Sequence, residues 1–564
     1  MRIFPFLKKK QKVEIDLDEI FLDASNLPEF NRGRLEGRIE IPLARRGMIA
    51  VGIVFTLIAS VFLVQLFRLQ IISGAEYAKR SFNNHLDHSL LFSERGVIFD
   101  RTGEKMAWNI DSSEQKDFAL RMYTDRRGMG QVLGYVNYPR KDSSGFYFRT
   151  AYAGRGGVEE SYDSALAGEN GERLLEVDVH GKVISEHVVH MPKTGGSVTL
   201  TLDAELSEAL YDHIATSAAK VGFRSGAGAI MDAHTGEIIA LASYPSYDPE
   251  ALTRGDAALL KEYAADTRLP YLNKVTSGIY TPGSIVKPIM ALAALTEKII
   301  SPEKQLLSTG ALIIPNPYTP SQPSIFKDWK AHGWMDMRHA IEESSDEYFY
   351  IVGGGYKDQK GLGIAKIYQY MHLFGLDSIT GIQLPGEADG VIPTPEWKKK
   401  VFKEDWRLGD TYHTSIGQFG FQVTPLAMLR AYGAIANGGT LVNPIVVKGE
   451  KQETSKVSNI SDESLRVVHE GMRLSAETGT ARSLNRPDMT FGAKTGTAEL
   501  GTHKEYVNSW VIGYYPYEKP KYVFVLLMEH GPHANLFGAP PIMSQFFNWI
   551  KEHKPEYFPT TNPV

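Results

Sequence analysis

The chain has 564 residues, too many for one hydrophobic core, so two or three folded units are expected. Its 61 basic and 66 acidic side chains give a net charge of -5, which offers nucleic acid no electrostatic reason to bind. There is no cysteine, and that excludes disulfides, thiolate metal sites and a cysteine nucleophile.

Residues 1–46 pair a basic cluster (Lys8, Lys9, Lys10, Lys12) with an acidic one (Glu14, Asp16, Asp18, Glu19), the composition of a solvated tail. From Gly47 to Phe67 no residue is charged. As a helix this run covers roughly 31 Å, the hydrocarbon thickness of a bilayer. Residues 47–68 therefore read as a single transmembrane helix, and the preceding tail argues for an uncleaved anchor over a signal peptide. Arg45 and Arg46 at its leading edge predict a cytoplasmic tail and an extracytoplasmic remainder.

Residues 69–196 read as a strand-rich spacer. Gln70 to Lys79 could continue the helix, and Val97–Phe99 and Met106–Trp108 flank the turn residues Asp100 to Gly103, which predicts a hairpin. The hairpin accounts for the glycines but leaves Arg95, Asp100 and Arg101 without a role, so Arg95 and Arg101 are expected to serve a partner. Arg173 to His190 reads as two strands about a His180-Gly181 turn. Pro192 to Gly196, PKTGG, reads as a linker, which puts a domain boundary near Gly196.

In residues 197–556, Asp203 is an N-cap for a helix with Leu206, Leu210, Ile214 and Ala218 at i+4 spacing. Gly226 to Ser243 is two apolar strands around a His234-Thr235-Gly236 turn, and Gly492–Ala498, Ser509–Tyr515 and Tyr522–Met528 are further strands. Strands at both ends with helical segments between them predict an antiparallel sheet closed by the extremities, an α+β layout. Residues 557–564 form a short tail.

The reactive group is expected in Ile279 to Leu295, IYTPGSIVKPIMALAAL. Pro282 and Gly283 are turn residues, and Pro288 inside a helix would cost about 3 kcal/mol, so a helix should begin near Ser284. Free backbone NH groups and the macrodipole at that end favour an anion beside the Ser284 hydroxyl. Lys287 lies one turn on, completing an activated-nucleophile pair. The same S-x-x-K spacing recurs at Ser113, Ser217, Ser301 and Ser324, so the helix start selects Ser284 and the spacing does not. Ser344-Ser345-Asp346 lies between two helical segments, and Lys494-Thr495-Gly496-Thr497 opens a C-terminal strand. Lys193-Thr194-Gly195 in the linker is a chance copy of K-T-G.

That order of motifs is similar to the penicillin-binding proteins and serine β-lactamases. Arg95-Gly96, Asp100-Arg101 and Gly103, together with GAIMDAHTGEIIALASYPSYDP, YTPGSIVKP, SIGQFGFQVTPLAM and GAKTGTAE, resemble class B penicillin-binding proteins from about Phe67 to Ile550. The resemblance implies a transpeptidase domain (antiparallel sheet flanked by helices) on a dimerisation-like pedestal at residues 69–196. It implies that Ser284 attacks the penultimate D-Ala carbonyl of a peptidoglycan stem peptide and that Lys287 takes its proton, which requires a neutral amine and hence a nearby cation, Lys494. Ser344 would relay protons. Thr495 and Lys494 would orient the substrate carboxylate, with Gly496 and Thr497 on the same binding strand. The backbone NH groups of Ser284 and Thr497 would form the oxyanion hole, commonly worth about 3 kcal/mol per donor. Asp346 replaces the usual asparagine and could contact the substrate or brace Lys287.

No cofactor or metal is implied, since His530 and His533 lack a third ligand. The spacer lacks glycosyltransferase motifs, so the resemblance implies a separate multi-span glycan polymerase and a rod-complex regulator as partners, with β-lactams as inhibitors. VVHEGMRLSAETGTA, WRLGDT within Trp397 to Thr411, and Ser344-Ser345-Asp346 resemble the elongation type more than the division-specific type. The same motifs also occur in β-lactam sensors, for which one span and a short tail supply no output domain, and in D,D-carboxypeptidases and β-lactamases, which would not need the long spacer.

Overall fold

The structure, a computed structural model, describes residues 45–559 except 84, 85, 114, 116, 178–182, 317, 318, 320, 502 and 534–536. The charged clusters of the tail, the His180-Gly181 turn, Glu114 and Lys116 after Ser113, and residues 560–564 lie outside the described residues. Two units are present, residues 1–86 with 177–181 and residues 87–176 with 182–564.

In the first unit α1 (Arg45–Phe67) passes into a π turn, Arg68–Ile72, making a 28-residue helix that contains an 18-residue stretch of mean hydropathy 2.6. At 1.5 Å per residue it is about 42 Å long, sufficient to cross a bilayer. The Ser73 NH closes the turn on the Arg68 carbonyl at 2.8 Å, and α2 (Gly74–Asn83) starts afresh. The expected continuation through Lys79 is thus interrupted at Ser73-Gly74, where two weak helix formers adjoin.

The second unit begins with β1 (Leu86–Leu91), β2 (Ile98–Phe99), β3 (Lys105–Ile110), β4 (Leu120–Tyr123), α3 (Gly157–Ser161), β5 (Gly171–Val177), β6 (Val183–His190) and β7 (Val198–Thr199). The expected hairpin is β2 against β3, with Ile98 opposite Ala107, inside a sheet of order β7-β2-β3-β4. The expected strand pair β5 and β6 joins β1 in a second sheet.

The residues that the hairpin left without a role are structural. Arg95 is fully buried, its Nε 2.6 Å from Glu159 Oε2 and its Nη2 2.7 Å from Asp163 Oδ1. The other oxygen of Glu159 takes Arg121 Nε at 2.8 Å. Asp100 Oδ1 accepts the NH groups of Thr102 and Glu104, both at 2.8 Å, and its Oδ2 accepts that of Ala204 at 3.2 Å. Arg101 reaches Glu237 at 3.3 Å. Arg95 is therefore no docking residue, and Arg101 braces the junction with the distal strands. The PKTGG segment is packed as well: Gly195 NH bonds to Glu94 O at 2.9 Å and Gly196 NH to Ala165 O at 2.8 Å.

Asp203 caps α4 (Ala204–Val221) by accepting the Leu206 NH at 3.0 Å, and the four expected apolar positions are buried. The distal sheet contains β8 (Ser225–Asp232) and β9 (Ile238–Tyr244) from one end of the domain. From the other come β10 (Gly492–Leu500), β11 (Tyr506–Tyr515) and β12 (Tyr522–Pro532), in the antiparallel order β9-β8-β12-β11-β10. Between them run α5 (Lys287–Thr296), α6 (Met337–Glu342), α7 (Asp346–Gly354), α8 (Leu408–Ser415), α9 (Pro425–Ala436) and α10 (Asp462–Glu477). Alternation along the strands sends Ile230, Val511, Phe524 and Leu526 to the face covered by α4 and α11 (Ala539–His553). Ala229, Met231, Trp510 and Val525 lie on the opposite face, which α9 covers. Burial on both faces is why these strands read as unbroken apolar runs. β10 ends the sheet, and its register sets Lys494 opposite Ile512 and Thr497 opposite Ser509.

Candidate active site

Ser284 lies in a tight 3-10 turn, Gly283–Val286, and the α-helix begins only at Lys287. The start expected at Ser284 is displaced because Pro288 has no NH to return to the Ser284 carbonyl. The Lys287 NH takes that carbonyl instead. Gly283 has φ 58°, and a Cβ there would stand 2.8 Å from the Thr497 carbonyl oxygen. A Cβ on Gly496 would stand 2.8 Å from Pro282 O. These two glycines let β10 press against the nucleophile turn, bringing Ser284, Gly496 and Thr497 together. On the other side Gly283 NH donates to Gly417 O at 3.0 Å.

Ser344 occupies the corner between α6 and α7 with φ 58°, a conformation that costs a non-glycine residue about 1–3 kcal/mol. Several bonds hold it. Lys287 Nζ donates to the Ser344 carbonyl at 2.7 Å, and Ser345 caps α7 by accepting the Tyr348 NH at 3.3 Å. Buried Asp328 accepts Ser345 Oγ at 2.7 Å and the Glu347 NH at 2.9 Å. Burial opposes the charge on Asp328, but bonds from His332, Glu347 NH and Ser345 prevail and hold its carboxyl well below the usual range.

Of the five residues expected to act together, Lys287, Ser344, Asp346 and Lys494 form one connected cluster, and among the described residues no hydrogen bond joins the Ser284 hydroxyl to it. Lys287 Nζ is 2.5 Å from Asp346 Oδ1 and 3.4 Å from Ser344 Oγ. Lys494 Nζ donates to the same Ser344 Oγ at 2.7 Å and to Thr495 O at 2.8 Å. Both lysines are fully buried. Burial, then the charge of Lys287, push the Lys494 amine well below the usual lysine range. Burial raises the Asp346 carboxyl, with Lys287 opposing. The family resemblance casts Lys494 as a cation near Lys287, and the two amines meet at the Ser344 hydroxyl. Among the described residues Lys494 has no carboxylate in hydrogen-bonding reach, whereas Lys287 has Asp346.

Thr495 Oγ1 donates to Thr480 Oγ1 at 2.7 Å, and Thr497 is exposed on the same side of β10. Of the other S-x-x-K serines, Ser217 is buried in α4 and Ser324 lies on the short strand Ser324–Lys327. Lys193 of the chance K-T-G is exposed and paired with Glu169 at 2.7 Å. Among the described residues no group of three or more His, Asp or Glu is placed to hold a metal ion. His530 stacks on Tyr506, and His533 lies 3.6 Å from Glu499.

The motif spacing did not mark Asp328, Glu347, Thr480 or His413. Only Ser345 carried a local signal, a serine just ahead of a helix. Glu347 accepts the NH groups of Thr309 at 2.7 Å and Gly310 at 3.0 Å, fixing α7 from its outer side.

The penicillin binding protein transpeptidase domain model matches residues 226–548, and the penicillin-binding protein dimerisation domain model matches residues 114–200. Peptidoglycan D,D-transpeptidase MrdA of Escherichia coli K12 is 27% identical over 90% of this chain and 94% of its own length. The Acinetobacter baumannii MrdA is 30% identical over 72% of this chain and 62% of its own length. Among solved structures, Pseudomonas aeruginosa PBP2 in complex with WCK 5153 matches with TM-score 0.69 and 26% identity, covering 85% of this chain and 100% of that one. Helicobacter pylori PBP2, solved in complex with MreC, matches with TM-score 0.68 and 26% identity, covering 83% and 99%. With the transpeptidase model spanning more than half of its residues and a serine-lysine cluster assembled where that domain's motifs fall, the chain belongs to the penicillin-binding protein transpeptidase family.

Proposed function

We propose that the chain is a serine D,D-transpeptidase that cross-links peptidoglycan stem peptides during cell-wall elongation. The observation that carries it is the unbroken chain Asp346, Lys287, Ser344, Lys494 beside the Ser284 turn and under the end strand β10. Ser284 Oγ attacks the penultimate D-Ala carbonyl while neutral Lys287 takes its proton. Asp346, 2.5 Å from Lys287 Nζ, braces that amine beside the Ser284 turn. The developing oxyanion lies between the backbone NH groups of Ser284 and Thr497. Collapse breaks the C–N bond, and the terminal D-Ala leaves with a proton relayed through Ser344. Lys494 and Thr495 hold the substrate carboxylate, and Gly496 keeps the strand close enough to do so. The amine of a second stem peptide then resolves the acyl-enzyme. β-Lactams acylate Ser284 in place of the stem peptide.

Residues 47–68 anchor the enzyme, with the tail cytoplasmic and the catalytic domain outside. A multi-span glycan polymerase engages Gly47 to Phe67, and a rod-complex regulator engages the pedestal. The PBP2–MreC complex of the Helicobacter pylori relative supports the second contact.

Peptide mapping after fluorescent penicillin labelling should find one adduct, on Ser284. Ser284→Ala should abolish it, and Lys193→Ala should leave it unchanged. An adduct on Ser113, Ser217, Ser301 or Ser324 would overturn the assignment. In a rod-shaped host, depletion should give rounded cells, and protease added outside spheroplasts should digest the chain beyond about residue 69. Filaments with blocked septa would move the enzyme to the division class, and a protected distal domain would reverse the topology.

A further inference from the structure

The solvent-accessible His413 lies on α8, which packs against α7, the helix that opens with Asp346. Its ring centroid is 5.4 Å from that of Phe326 and 6.3 Å from that of Tyr350. Its carbonyl accepts the Gln418 NH at 3.0 Å, and Gly417, one residue earlier, binds the Ser284 turn. Asp346 on α7, Asp410 on its own helix and Lys504 beyond β10 are the charges within electrostatic reach. Lys504 is paired with Glu499 of β10. Among the described residues no hydrogen bond engages the imidazole. The imidazole thus stands against Phe326 and Tyr350, on the helix that packs against α7, with Asp346 at the start of α7 and Lys504 among the charges it senses.

We propose that His413 is the base that takes the first proton from the acceptor amine in the second half-reaction, an inference that rests on the function proposed above. The acceptor, a primary amine of a second stem peptide, arrives as an ammonium ion and gives one proton to the imidazole. Its free nitrogen attacks the acyl carbon on Ser284, forming the C–N bond as the carbonyl electrons move to oxygen. On collapse the bond from that carbon to Ser284 Oγ breaks, and the second nitrogen proton passes through Lys287 to Ser284 Oγ. The imidazolium then releases its proton to water.

Desolvation by the surrounding protein lowers the affinity of His413 for a proton; Asp410 and Asp346 oppose this and Lys504 adds to it. The ring is accordingly neutral and able to accept a proton at pH 7. Acceptor-dependent turnover should fall only as pH drops through this lowered value, below the usual 6.5 or so for histidine.

The test uses the full-length protein in detergent, a D-alanyl thioester donor, and D-alanine or the less basic D-alaninamide as acceptor. His413→Asn and His413→Gln should each cut turnover with D-alanine about 100-fold at pH 7. The deficit should be smaller with D-alaninamide, which loses its proton to water more readily, and should shrink as pH rises. Equal loss with both acceptors at every pH, or no loss, overturns the proposal. Penicillin labelling of the same samples separates the two levels: an unlabelled wild-type Ser284 rejects the proposed function, whereas a labelled variant with normal acceptor turnover rejects only the role of His413.

Discussion

Lys287→Ala should slow acylation by penicillin about 1,000- to 10,000-fold, the upper range for loss of a general base. Lys287 Nζ is a short bond from Asp346 and within reach of Ser344 Oγ, and among the described residues no other amine lies one helical turn from Ser284. Lys494 cannot substitute, because its amine is committed to Ser344 Oγ and Thr495 O. The informative companion is Lys287→Arg, which keeps a cation beside Asp346 but cannot release its proton at any accessible pH. If Lys287 acts as the base, both variants lose acylation while the arginine variant keeps its thermal midpoint. If Lys287 only neutralises Asp346, the arginine variant keeps its acylation rate. Stopped-flow measurement of adduct formation, with thermal unfolding alongside, distinguishes the two.

Glu159→Ala should destabilise the pedestal by about 3–5 kcal/mol, because it leaves two buried guanidinium groups without their shared carboxylate. Arg95 and Arg121 each bond to Glu159 with side chains fully out of solvent, and Asp163 offsets only Arg95. Replacing all three residues together, as Arg95→Met, Arg121→Met and Glu159→Leu, should recover most of the loss, since the expense lies in unpaired charge and not in missing volume. Denaturant titration of full-length protein, followed by protease sensitivity of residues 87–196, measures the effect. A single-variant loss below about 1 kcal/mol would show that water reaches the cluster.

The elements legible in the sequence are those whose cause is local. An uncharged run long enough for a bilayer, Asp203 before an i+4 apolar stripe, and apolar runs around His234-Thr235-Gly236 each state their conformation within a few residues, because capping and side-chain periodicity act at that range. The order of the three motifs was legible as well, because each is a short peptide and the set resembles a known family. Tertiary structure decided the rest. Ser284 entered a 3-10 turn because Pro288 withholds the NH that an α-turn needs, and β10 closed on that turn through Gly283 and Gly496. Arg95 and Arg101 changed from docking residues to internal braces because their carboxylate partners lie 64 and 136 residues away in the chain. Which lysine meets a carboxylate could not be read from S-x-x-K and K-T-G, since that pairing is made by residues distant in the chain. Asp346 was brought to Lys287, and Lys494 was left with Ser344.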